Sequence, residues 1–143
     1  AGAAISLASW AALPALPLGG FLADRTGRPG LVLTICCTIA AVAAAALPLV
    51  DQPFILSAMI GLFAAAPAGI IMGRAILTMS PANRPMGNAI LYTFFYGGMG
   101  LAPGLVGWSA DISGTAATPI FLSAAILALT APLFLGQYLL ARD

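Results

Sequence analysis

The 143 residues are 62% hydrophobic and 6% charged, with five arginines, four aspartates and no lysine, glutamate or histidine. An ordinary soluble domain is about a quarter charged, so these side chains cannot cover a water-facing surface, and a mean hydropathy of +1.07 leaves lipid as the solvent. The net charge of +1 excludes a nucleic-acid surface, which displaces counterions with many basic groups.

Turn and charge signals divide the chain into five apolar segments, each about the 20 residues that a bilayer-spanning helix needs. The first covers about residues 3–23 and runs into the glycine-fenced charges of Asp24, Arg25 and Arg28. The second, about 29–50, stops at Asp51-Gln52-Pro53; its adjacent Cys36 and Cys37 lack metal-ligand spacing and read as small packing residues. The third, about 54–79, carries Pro67, Gly69, Gly73 and Arg74 and ends at Ser80-Pro81-Ala82-Asn83-Arg84-Pro85. The fourth, about 86–110, is rich in glycine and aromatics, and the fifth, about 118–142, is almost featureless Ala, Leu and Ile. These runs are too long for barrel strands and do not alternate with period two. The expected class is all-α: a polytopic membrane protein of five transmembrane helices in one domain, 1–143. The chain opens without methionine and inside an apolar run, which reads as a piece of a longer protein and not as a signal peptide.

With five spans, Arg25, Arg28, Arg84 and Arg142 all fall on one face, and Asp51 and Asp111 on the other. The positive-inside rule makes the arginine face cytoplasmic, with the 24–28 and 80–85 loops and the C-terminus. Arg74 lies six residues before Ser80. It is either a side chain snorkelling to the interface or an intramembrane cation facing a water-filled pathway. No acidic residue sits deep inside a span, so no proton-relay carboxylate is evident. Without histidine or glutamate, and with its aspartates at span ends, the chain offers no dyad for an intramembrane enzyme. Neither a cofactor nor a metal is expected.

The turn reads Gly20-x-Leu22-Ala23-Asp24-Arg25-x-Gly27-Arg28. Its arginines set topology, but topology does not explain a negative Asp24 on the positive face. Position by position the turn resembles the signature of the major facilitator superfamily, the cytoplasmic loop after the second helix of each six-helix half. Pro29 replaces a usual basic residue, and Val32 stands for the final leucine. A second frame, Gly107-x-x-Ala110-Asp111-x-x-Gly114, repeats Gly20-x-x-Ala23-Asp24-x-x-Gly27 three spans later and on the opposite side. That is the mark of a three-helix unit and its inverted copy, with one helix expected before residue 1.

The resemblance extends over the whole chain and fits helices eight to twelve of the superfamily better than two to six. The run from Pro103 through Gly107 to Asp111 and Gly114 resembles the end of the eleventh helix, and Ala102 breaks the glycine-proline motif of antiporter fifth helices. The chain also stops a few residues after its last span, as a natural C-terminus does. Asn83–Gly87, Tyr92–Tyr96 and Gly107–Gly114 resemble bacterial members of the cyanate and nitroimidazole type, which implies the bacterial inner membrane.

The resemblance implies a secondary transporter moving a small-molecule substrate by alternating access. Its partners are the lipid bilayer and the remaining helices of the same transporter. The third helix would face the central cavity, the first and fourth would line the interface between halves, and the second and fifth would be peripheral. The gating motif would be Gly20, Asp24, Arg25, Gly27 and Arg28, with Asp24 capping the fourth helix near Gly87 and Asn88 and pairing with Arg25 or Arg28. Candidate pathway residues are Trp10, Arg74, Tyr92 and Tyr96, with Ser6 and Ser9 beside Trp10, while Pro67 and Pro103 are candidate flex points. The competing reading is a non-transporting membrane scaffold or receptor-like protein.

Overall fold

The computed structural model describes residues 2–115 and 117–140; Arg142, the expected anchor after the last span, lies outside them. Five helices follow in order: α1 (Gly2–Thr26), α2 (Pro29–Ala46), α3 (Pro53–Thr78), α4 (Arg84–Ser113) and α5 (Ala117–Leu140). There is no strand among the described residues. Helices α1 to α4 are long and apolar enough to cross a membrane, and α5 is apolar over Ala117–Thr130.

The breaks between helices follow from local chemistry. Helices α2, α3 and α4 each carry a proline in the first turn, where a missing N–H is no loss and a fixed φ suits helix entry. Helix α2 closes at Ala46, short of the expected residue 50. Its end tightens as the Leu47 N–H donates to the Ala44 carbonyl at 3.2 Å, just before Pro48, which has no N–H to give. Helix α4 overruns the expected 86–110 at both ends. At about 1.5 Å per residue it is about 45 Å long, more than the hydrocarbon core requires. Both α1 and α4 are followed by a glycine in the left-handed region, Gly27 at φ 63° and Gly114 at φ 66°. The two copies of the Gly-x-x-Ala-Asp-x-x-Gly frame therefore each end in a glycine of positive φ.

The tightest packing joins α1 to α3. A Cβ on Gly61 would overlap the Ala8 carbonyl, one on Gly69 the Leu16 carbonyl, and one on Gly19 the Ala66 carbonyl. The 8/61 and 16/69 pairs advance together, so the helices run parallel, as alternate spans must. Between membrane helices there is no hydrophobic drive, and close backbone approach at small residues supplies the attraction. On α1 the buried positions are Ala15, Gly19 and Ala23, one turn apart.

Within these five helices, α2 has a larger buried share than α1, α3 or α4 among the described residues. It lies against α1, α3 and α5. Its Ala and Cys side chains are small enough for those helices to close over them, burying Cys36, Cys37, Ala40 and Ala44. Leu33, fully enclosed, forms a core with Ala23, Cys37 and Ile70. Helix α4 is the opposite case: it rests on α5 and α3, and none of its described residues is buried.

Candidate functional site

The charged turn is built by the end of α1. Thr26 Oγ1 donates to the Leu22 carbonyl at 2.8 Å, sealing the last turn, and Gly27 reverses the chain into Pro29. Pro29 and Gly30 are buried, whereas Asp24, Arg25 and Arg28 are exposed. Arg25 sits in the last turn of α1, where a cation complements the helix dipole. Asp24, one residue earlier, opposes that dipole at a cost of about 0.3–1 kcal/mol. The turn thus holds a carboxylate that its own helix disfavours.

Across the α1–α3 seam, Asp24 and Arg74 line one small crevice of about 80 Å³, walled by Gly20, Ala23, Gly69 and Gly73. Gly87 and Asn88 stand elsewhere. They are half-buried near the start of α4, and Gly87 lies against the Met79 side chain at the end of α3. The Gly87 N–H donates to the Asn83 carbonyl at 2.9 Å. Asn83, the N-cap of α4, makes no side-chain cap, so the first turn of α4 keeps donors open to a carboxylate from another element.

The candidate pathway residues fall in three places. Trp10 is 72% exposed on a shallow face of α1 with Ile5, Ser6, Ser9 and Leu13. Ser9 there donates to its own helix, to the Ile5 carbonyl at 3.1 Å. Arg74 lies in the Asp24 crevice. Tyr92 and Tyr96 stack on α4 with centroids 5.9 Å apart and 20° between planes, and Phe95 meets Tyr96 edge-on at 5.5 Å. Phe95 also lines an apolar chamber of about 230 Å³ with Cys37, Pro67, Met72 and Thr130. That chamber holds no charged group and suits no polar solute.

The sequence reading missed the small-residue seam. Its signal was present in Ala8, Ala15, Gly19 and Ala23, which share one helical face, and in Gly61, Gly69 and Gly73 on α3. With the turn and seam in place, the comparison with protein families is decisive: residues 1–143 match the Major Facilitator Superfamily. The chain belongs to the major facilitator superfamily. No curated protein and no solved structure matches it. As a member of this superfamily it is an integral membrane protein of a transporter family and not of an enzyme family. It is surrounded by lipid and acts on a small-molecule substrate. The superfamily assignment also accounts for the exposed apolar surface, since Phe94, Leu101 and Trp108 on α4 face lipid or other helices and not water.

Proposed function

We propose that the chain is the C-terminal half, helices eight to twelve, of a secondary transporter that moves a small solute by alternating access. The turn from Gly20 to Arg28 is its cytoplasmic gate and Asp24 the latch. The observation that carries this reading is the family match over 1–143 together with a dipole-opposing Asp24 at the end of α1. The open N–H groups in the first turn of α4, those of Arg84 and Met86 next to Gly87 and Asn88, support this helix start as the latch partner when the gate is shut. The matching left-handed glycines at 27 and 114 support an inverted pair of three-helix units. Gly97, Gly100, Gly104 and Gly107 share one face of α4 and have nothing within 4 Å of a notional Cβ. That face suits close approach by the remaining helices of the transporter.

The residue patterns at Asn83–Gly87, Tyr92–Tyr96 and Gly107–Gly114 favour a bacterial inner-membrane member of the cyanate or nitroimidazole type. Radiolabelled cyanate and a radiolabelled nitroimidazole are therefore the first solutes to test for uptake by cells expressing the protein. Asp24→Asn is expected to lower uptake while membrane insertion is unchanged. A helix-end interaction worth about 0.3–1 kcal/mol, or about 2 when partly buried, biases a two-state equilibrium without holding the fold. Wild-type uptake by Asp24→Asn refutes the latch.

A further inference from the structure

We infer that Asp111 is a second latch, on the face opposite the charged turn, where its carboxylate meets the first turn of a helix that begins on that face. The assignment rests on the alternating-access reading, in which each face needs its own closure. Asp24 and Asp111 hold the same place in the Gly-x-x-Ala-Asp-x-x-Gly frame. Each lies near the end of its helix, three positions before a glycine of positive φ, Gly27 at 63° and Gly114 at 66°. Helix α4 follows α3, which runs parallel to α1, so α4 carries its copy of the frame to the opposite face.

The chemistry at the end of α4 leaves this carboxylate in want of a partner. A negative group near a helix C-terminus opposes the helix dipole, and the last turn of α4 holds no basic residue to offset it. Arg84, at the far end, is the only other charged residue of α4. The bonds of the turn are made by other groups. Ser113 Oγ donates to the Ala110 carbonyl at 3.4 Å, and the Thr115 and Thr118 hydroxyls share a bond of 2.8 Å. The Gly114 N–H donates to the Ala110 carbonyl at 2.9 Å. None of these bonds reaches Asp111, which is exposed. A helix start supplies what the carboxylate lacks, open N–H donors at the positive end of a dipole. Gly107, one turn before Asp111, has nothing within 4 Å of a notional Cβ, which leaves room for another helix to approach at this level.

The test follows a thiol placed by Ser9→Cys on the exposed α1 face beside Trp10, about 10 Å in from the helix start at the Asp111 face. Its reaction rate with a hydrophilic maleimide, in permeabilised membranes holding the complete transporter, reads the population open on that face. In this background Asp111→Asn and the smaller Asp111→Ser are each expected to raise the rate about two- to fivefold, the size of one helix-end interaction. Asp24→Asn is expected to lower it by a similar factor. The two asparagine variants combined are expected to restore it, because one latch is lost from each side of the equilibrium. Ser113→Ala is expected to keep the parent rate, since its hydroxyl serves only the local turn. An Asp111→Asn rate at or below the parent overturns the second latch. An equal rise from Ser113→Ala also overturns it, because general loosening of the turn then explains both. A rise with Asp111→Asn beside an unchanged rate with Asp24→Asn refutes the cytoplasmic latch alone, so the two failures give different results. Cys36 and Cys37, buried in the parent, must stay unlabelled in every variant, which verifies the fold.

Discussion

At the scale of single residues, glycine serves two separate purposes in this chain. Gly27 and Gly114 supply a left-handed backbone after α1 and α4, a conformation that costs other residues about 1–2 kcal/mol. Gly19, Gly61 and Gly69 instead let one backbone lie on another. A methyl at Gly61 meets the Ala8 main chain and not a flexible side chain, so the helices must separate to admit it. Gly61→Ala is expected to destabilise by about 1–3 kcal/mol, the usual penalty for overpacking. Gly73→Ala, with open space at its Cβ position, is expected to be neutral or to gain up to about 1 kcal/mol from reduced backbone freedom. The buried thiols of Cys36 and Cys37 provide the measurement. In a thermal ramp with a thiol-reactive dye, Gly61→Ala labels at lower temperature than the parent and Gly73→Ala does not. The spacing of these glycines is visible in the sequence, but their different purposes are not. Periodicity alone does not distinguish Gly61, pressed on a neighbour, from Gly104, facing open space.

At the scale of elements, five helices and their breaks were legible because proline, glycine and charge interrupt the chain only where it turns. Relative burial was not legible. Helix α2 and helix α5 read as equally featureless apolar segments, yet α2 packs against three neighbours. In lipid an apolar side chain carries no preference for the bundle interior, so hydrophobicity cannot rank the helices. Size decides instead: α2 is lined with alanine and cysteine, and three helices can approach it. Leu33, its one large enclosed side chain, is the sensitive position. Leu33→Ala is expected to cost near the low end of the 2–5 kcal/mol range for buried leucines, since the cavity penalty remains in a bilayer while the water-transfer part largely vanishes. Phe94→Ala, on the bare face of α4, is expected to leave the unfolding temperature within about 1 °C of the parent, as surface substitutions do. The same thiol-reactive ramp measures both.

At the scale of the whole molecule, the arginine distribution predicts a topology that labelling can check. Asn83→Cys is expected to react only from the cytoplasmic side, and Gln52→Cys and Thr115→Cys only from the other, when an impermeant maleimide is applied to intact cells and to inverted vesicles. Asn83→Cys labelled from outside would overturn the orientation. By itself the sequence determined the solvent, the helical class, the five helices and the superfamily. Each of these rests on composition or on residues adjacent along the chain, as in the turn from Gly20 to Arg28. Only the tertiary structure decided which helices touch. It brought Asp24 and Arg74, fifty residues apart in the chain, to the lining of one crevice, and set Trp10, Arg74 and the Tyr92–Tyr96 stack apart. The physical reason is that helix association in a bilayer depends on backbone approach at small residues. Register between α1 and α3 comes from how Gly19, Gly61 and Gly69 fit opposing carbonyls, a complementarity between surfaces that no single segment contains.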